Sequence, residues 1–264
     1  MFSVDTYLST LGWTGPVEPT ARTLRELHKR HMIRVAFDNS AHARLGTSIL
    51  NDIDIDLDAA FDEIILGGRG GVCFELSGLF RRLLTELGYD VIILSAGARG
   101  ASGEFGPDFE HLFLGVRLDG ELWLVDVGFA GPSFIEPLRL TDEEQEQYGV
   151  TYRLIRRDGY HVLQRKGHVG DWQAVYRLKP EARTLADWNG SATDTPDDDD
   201  PGWNWAGQLV ASGTVIHGRS FDTGQLILVG RRFVRVDNGH EEVRVLVDTD
   251  EYRKTAEHIL GRDR

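Results

Sequence analysis

Cys73 is the only cysteine in a chain of 264 residues. It lies in Arg69-Gly70-Gly71-Val72-Cys73-Phe74-Glu75, where glycines let the backbone approach a substrate closely. A lone cysteine is more often buried and inert than reactive. A nucleophilic one needs a base beside it, and the base needs an acceptor that orients it. Two residues downstream fit those roles. His111 and Asp126 flank Asp119-Gly120, a dipeptide that signals a two-residue hairpin turn. In that register Leu118 pairs with Glu121, so His111 and Asp126 become diagonal neighbours on one face. A slip of one residue would send them to opposite faces. A Cys, a His and an Asp so arranged would perform nucleophilic acyl chemistry.

The elements that must hold these groups are also legible. After Cys73, Leu76, Leu79, Phe80, Leu83, Leu84 and Leu87 recur at helical spacing, and Gly88 supplies a stop. Cys73 therefore falls at a helix N-terminus, where the partial positive charge favours a thiolate, with Arg69 adding to the field. Earlier helices are expected from Val4 to Leu11, after Thr20 (Leu24, Leu27 and His31 inward) and after Asp56. Ala36-Phe37-Asp38-Asn39 reads as a turn or loop between them. From Asp90 the pattern changes to strands: Val91 to Leu94, Glu110 to Leu118, Glu121 to Val127, Thr151 to Ile155, Tyr160 to Gln164 and Ala174 to Leu178. Asp158-Gly159 marks a second hairpin. Asp197 to Asp200 is an acidic run that reads as a solvated loop. More strands follow from Gln208 to Val247, then a helix from about Asp248 to Leu260. The other histidines are weaker candidates. His28, His31 and His42 lack a strand-borne carboxylate, and His161, His168, His217, His240 and His258 read as residues of loops, turns or the last helix.

Composition narrows the function classes. A net charge of −13 opposes binding to nucleic acid or to anionic membranes. No apolar run has the length of a membrane span, and no basic-then-apolar leader opens the chain, so a cytoplasmic protein is expected. One cysteine excludes an internal disulfide framework. Nothing resembles a metal-binding motif, and the glycines around Arg69 match neither phosphate-loop pattern.

Arg69-Gly70-Gly71-Val72-Cys73-Phe74-Glu75, His111 on a strand, and Asp126-Val127-Gly128-Phe129 resemble the arylamine N-acetyltransferases. The order Cys, His, Asp and its spacings of 38 and 15 residues agree. The resemblance implies an α+β fold with a cysteine-protease-like catalytic core: an N-terminal helical bundle (1–89), a central antiparallel β-barrel (90–180) and a C-terminal α/β lid (181–264). It implies a catalytic Cys73, His111 and Asp126 and ping-pong acyl transfer from a thioester to an amine. The co-substrate would be an acyl thioester, on coenzyme A or a carrier protein, with no permanently bound cofactor. Phe37, Phe74, Phe129 and Arg69 are the candidate substrate-binding residues.

The chain departs from the family pattern at several places. Ala36-Phe37-Asp38-Asn39 stands for P-F-E-N, Ser77 for Asn, and Ala130 for the last Gly of D-V-G-F-G. The lid motif is reduced to Ser191-Ala192-Thr193-Asp194-Thr195-Pro196. These departures resemble the ansamycin amide synthases, which close a polyketide onto an arylamine as a macrolactam. The ordinary acetyl-CoA-dependent branch stays open beside it. So do a cysteine hydrolase or transglutaminase-like enzyme, and a binding protein that merely keeps the fold.

Overall fold

The computed structural model describes residues 1–42, 55–100, 102–188 and 213–262. The lid motif, the acidic run and the start of the strand expected from Gln208 lie outside these residues. No helix among the described residues is long and apolar enough to cross a membrane.

Helices α1 (Val4–Thr10) and α2 (Ala21–Arg34) begin at Ser3 and Thr20, whose hydroxyls accept backbone N–H groups of the first turn. Helix α3 (Leu57–Ala60) starts at Asp56 and runs into a π-helical turn, Phe61–Leu66. Helix α4 (Cys73–Glu86) follows. Its leucine face is fully buried against α1, α2 and the π-turn. Cys73, at the helix start, is half-buried and packs against the edge of that core.

Eight antiparallel strands form a barrel in the order β5-β4-β3-β2-β9-β8-β7-β6. They are β2 (Asp90–Ala98), β3 (His111–Leu118), β4 (Glu121–Val125), β5 (Leu138–Arg139), β6 (Gln145–Gln147), β7 (Val150–Arg157), β8 (Tyr160–Lys166) and β9 (Gln173–Leu178). Side chains seal the seam between β5 and β6. The Gln145 amide exchanges two hydrogen bonds with the Arg139 backbone, at 2.8 and 2.9 Å. Gln147 does the same for Ile135 and Glu136. These bonds satisfy edge groups that would otherwise be left unpaired.

A second sheet, β1-β10-β11-β12-β13, carries β10 (Ile216–Phe221), β11 (Gly224–Val229), β12 (Arg232–Asp237) and β13 (His240–Val245). Helix α5 (Thr249–Ile259) packs one face of it through Ile259, Tyr252 and Ala256. Here the structure corrects the sequence reading of Ala36 to Asn39. Residues Phe37 and Asp38 are not a loop but β1, the first strand of this C-terminal sheet, paired with Gly218 and His217. Asn39 clamps the join: its Oδ1 accepts the Ile216 N–H at 2.7 Å and its Nδ2 donates to the Thr214 carbonyl at 3.0 Å. The pairing partner is about 180 residues away, which no local pattern could reveal.

The histidine reading is corrected too. His161, His217 and His240 stand on strands β8, β10 and β13. His217 is buried, with Nδ1 3.2 Å from Asp38 Oδ1.

Two other buried histidines make a stability prediction. Burial holds His28 near a pKa of about 4 and His31 near about 3, below the ordinary value of about 6.5. The unfolded chain therefore takes up protons first as pH falls. Their contribution is intact above about pH 6.5 and is lost towards pH 4. We expect a loss on the order of 2 kcal/mol per histidine between pH 7 and 5. Carboxylates such as Asp38 and Glu75, held below their usual range, add to the loss at lower pH. Urea denaturation at pH 7 and pH 5 tests this; an unchanged midpoint would contradict it.

Candidate active site

Positive-φ residues Asp119 and Gly120 make the two-residue turn between β3 and β4, and Leu118 pairs with Glu121. Ordered pairing ends at Val125, so Asp126 begins the loop beyond. There His111 Nε2 lies 2.9 Å from Asp126 Oδ2. Both side chains are buried. The other carboxylate oxygen, Oδ1, accepts the Gly128 N–H at 3.1 Å. With Nε2 taken, Nδ1 is the ring nitrogen left for Cys73, which lies near enough to raise the His111 pKa.

The charge balance at His111 is a contest. Burial pushes its pKa down, while the Asp126 carboxylate and a Cys73 thiolate push it up; the charges win, and the ring is held at about 10. The imidazolium form is thus the stable one beside the Asp126 carboxylate. Its contribution to stability is present below about pH 6.5 and is lost as pH rises through about 10.

Three aromatic rings fix the imidazole. Phe113 lies parallel to it at 5.7 Å, Phe129 meets it edge-on at 5.3 Å, and Tyr176 sits at 5.9 Å. Burial, then the Asp126 charge, raises the Tyr176 phenol well above its ordinary pKa, so it remains neutral.

His28 braces the far side. Its Nδ1 is 2.7 Å from the Ile135 carbonyl, which can only accept, so that nitrogen carries the proton. Nε2 lies 3.1 Å from both the Asp126 N–H and the Asp126 carbonyl, and with the proton on Nδ1, as the shorter Ile135 contact selects, it accepts the N–H. The low pKa of His28 keeps this tautomer neutral. Nothing in the sequence signalled the role, because its partner is 98 residues away on another element.

The loop before the helix is equally constrained. Glu75 Oε2 accepts the Val72 N–H at 3.0 Å, which caps α4 from its own third position. Arg69 Nη2 donates to Glu75 Oε1 at 2.7 Å, and its Nε lies 2.9 Å from Glu63 Oε2. His42 also reaches Glu75, at 3.2 Å. Arg69 is therefore engaged by two carboxylates that shape the approach to Cys73. Glu75 was readable as an acidic residue in a first helical turn, but its three partners were not. Gly70 and Gly71 run beside Ala36 to Asp38: Asp38 N–H donates to the Gly71 carbonyl at 2.9 Å and Gly71 N–H to the Ala36 carbonyl at 3.1 Å. Through this bridge β1 ties the nucleophile's loop to the C-terminal sheet.

Of the candidate aromatic walls, Phe37 and Phe129 face one narrow cleft with Val35 and Ile227. Phe74 is buried elsewhere, against the His42 ring at 6.2 Å. Among the described residues no group of three or more His, Cys, Asp or Glu could hold a metal ion.

Gly128 touches the nucleophile itself. A Cβ there would come within 2.6 Å of Cys73 Cα and 3.1 Å of the Cys73 carbonyl oxygen. No side chain fits between the Asp126 loop and the start of α4. We expect Gly128→Ala to displace Cys73 from His111 and to lower the acyl-transfer rate about 10²-fold, since a misplacement of roughly 1 Å has that effect. A rate within about twofold of wild type would contradict the expectation.

Comparison with known proteins accords with this geometry. The N-acetyltransferase family matches residues 20–261. Proansamycin X synthase of Amycolatopsis mediterranei is 37% identical over 265 residues, spanning 100% of this chain and 98% of its own. The arylamine N-acetyltransferase of Escherichia coli is 33% identical over 173 residues, 65% of this chain and 59% of its own. The solved structure of the Mycobacterium marinum arylamine N-acetyltransferase in complex with CoA superposes with a TM-score of 0.77 at 26% identity, covering 98% of this chain and 92% of the other. The chain belongs to the arylamine N-acetyltransferase family of acyltransferases.

Proposed function

We propose that this chain is an amide-forming N-acyltransferase that works through an acyl-Cys73 intermediate, on the amide-synthase side of its family. One observation carries the branch: the 37% identity with proansamycin X synthase runs end to end, whereas the match to the E. coli acetyltransferase covers 65% of the chain.

The mechanism uses the residues described above. His111 accepts the Cys73 proton, and Asp126 holds the ring and balances the resulting imidazolium. The thiolate attacks the carbonyl carbon of an acyl thioester. The bond from that carbon to the donor sulfur breaks, and the donor thiol leaves with the proton from His111. Amides of the first turn of α4, which have no carbonyl one turn back, face the developing oxyanion. Acylation removes the negative charge on sulfur and with it one of the causes that raise the His111 pKa. More of the ring is then neutral near neutral pH and free to take the proton of the attacking amine in the second half. The new C–N bond forms, the C–S bond to Cys73 breaks, and the amide departs.

Phe37 and Phe129 line a shared cleft of only about 20 Å³, which would have to widen before it could hold an aromatic amine. The donor is an acyl group on a carrier protein or on coenzyme A, and the acceptor an arylamine, intramolecular in the case of a macrolactam. The M. marinum relative binds CoA, which keeps the acetyl-CoA-dependent reading as the alternative. A single free thiol with no disulfide partner suits a reducing compartment such as the cytoplasm. Steady-state rates with acetyl-CoA and with a long-chain acyl thioester, an aminobenzoate being the acceptor, separate the branches. We expect kcat/KM to favour the long-chain donor by at least about tenfold, which is about 1.4 kcal/mol of transition-state binding. Equal or better use of acetyl-CoA would return the chain to the ordinary acetyltransferases.

A further inference from the structure

β13 ends the C-terminal sheet, and all six of its residues are exposed. Such an edge offers unpaired N–H and C=O groups to any passing strand. Its pattern identifies what could cover it. Asn238 and Gly239, both at positive φ, form a two-residue turn, and Asp237 pairs with His240 across it. In such a hairpin the flanking pair is the hydrogen-bonded one, so His240, Glu242, Arg244 and Leu246 turn their backbone groups towards β12. The Leu246 N–H, which donates to the Arg231 carbonyl at 2.8 Å, has this parity. The outward-facing N–H and C=O groups therefore belong to Glu241, Val243 and Val245.

Side chains divide the same way. Arg244 and Leu246 face α5, where Arg244 Nη1 meets Glu251 Oε1 at 2.6 Å and Leu246 joins the buried cluster around Ile259. The opposite face carries an apolar stripe: Val243 is 46% exposed, Val245 65% and, just past the strand, Val247 82%. Val243 also lines a cleft of about 320 Å³ with Val236 and Val169, and Val169 is 89% exposed. Among the described residues nothing pairs with this edge, and an unpaired edge beside a run of exposed valines is a surface that a partner normally covers.

We propose that the partner is a second copy of this chain, joined by antiparallel pairing of β13 with its own twofold mate about Val243. Charge selects that occupant and register. With Val243 opposite the second Val243, Glu241 lies opposite the second Val245. All three pairs then join outward-facing backbone groups, which is the parity that hydrogen bonding requires. In the same register Glu242 of each copy lies opposite Arg244 of the other, twice by symmetry. Neighbouring registers of the same parity set Glu242 against Glu242, or Arg244 against Arg244. Opposite charges in directly opposed pairs stabilise a sheet, and like charges do the reverse. A contact in which one patch meets itself is the isologous interface of a twofold dimer. The result is one ten-stranded sheet built from two five-stranded ones. One strand pair with a valine stripe is a small interface, so we expect a micromolar dissociation constant.

Sedimentation equilibrium of the full chain from about 1 to 200 μM, a range that brackets such an affinity, tests the proposal with Glu242→Arg and Arg244→Glu. Each variant alone opposes like charges across both pairs. Mixed one to one, the two restore opposite charges in both. The wild type should be a dimer at the upper concentrations, each variant alone a monomer, and the equimolar mixture a dimer. Circular dichroism and the acyl-transfer rate of each variant should match wild type, because β13 lies outside the catalytic constellation. Hydrogen exchange gives a second readout: the Glu241, Val243 and Val245 amides should gain protection with concentration, and those of Glu242 and Arg244 should not change. A wild type that stays monomeric throughout, a dimer that both variants retain, or a mixture that stays monomeric would overturn the proposal.

Discussion

Replacing Cys73 with serine is expected to lower acyl transfer by about 10⁴-fold or more while leaving the fold in place. Loss of the nucleophile removes the covalent route, and comparable deletions of a nucleophile in other enzymes have effects of this size or greater. Serine is nearly isosteric, and Cys73 is half-buried at the edge of the core, so the stability change should stay within about 1 kcal/mol. A hydroxyl beside His111 is a poorer nucleophile than a thiolate, because it holds its proton far more tightly. His111 should respond as well. Part of what raises its pKa to about 10 is the charge on Cys73, and serine removes that part, so the ring should titrate lower in the variant. Measuring the rate together with the His111 titration by NMR checks both halves. A variant that retains a tenth or more of the wild-type rate would exclude Cys73 as the acyl carrier.

Asp126→Asn is expected to cost about 10⁴-fold in rate with little change in substrate affinity, as the loss of the orienting carboxylate does in the serine proteases. The geometry gives the reason. Asp126 Oδ1 accepts the Gly128 N–H, so an asparagine would place its own carbonyl oxygen there. Its Nδ2 would then face His111 Nε2, the nitrogen now 2.9 Å from Oδ2. A donor at that point forces Nε2 to accept, which moves the ring proton to Nδ1, on the side of Cys73. A neutral imidazole with its proton on that side cannot take another from the thiol. The lost negative charge also lets burial dominate, so the His111 pKa should fall from about 10. A loss of only a fewfold would show that Asp126 does not orient the base.

Much of the candidate site could be read from local chemistry, because two signals happen to be local. The Asp119-Gly120 turn sets a register that holds to Val125, and Asp126, one residue beyond the expected strand's ordered part, still meets His111. Leucine periodicity after Cys73 marks the helix whose start carries the thiol. The parts that escaped depend on distant pairing. His28 reads as a histidine of α2 without a strand-borne carboxylate, and only the folded chain sets it against the Asp126 amide. Gly128 reads as one position of a motif, with no physical reason for a glycine until Cys73 is found packed against it. Phe37 and Asp38 read as a loop because two residues are too few to show alternation, and the strand they join lies near the other end of the chain. The barrel's closure through Gln145 and Gln147 escaped for a similar reason: side-chain amides there replace a backbone ladder, and hydrophobic patterning carries no trace of them.

The central claim is that the acyl group travels on Cys73. It is tested most directly by mixing the protein with an acyl thioester in the absence of any amine and measuring the intact mass. The account predicts one acyl group per chain, located on Cys73 by peptide mapping, and its quantitative transfer when an arylamine is added. An unmodified chain that still forms amide when donor and amine are present together, or an acyl group on any residue other than Cys73, would contradict it.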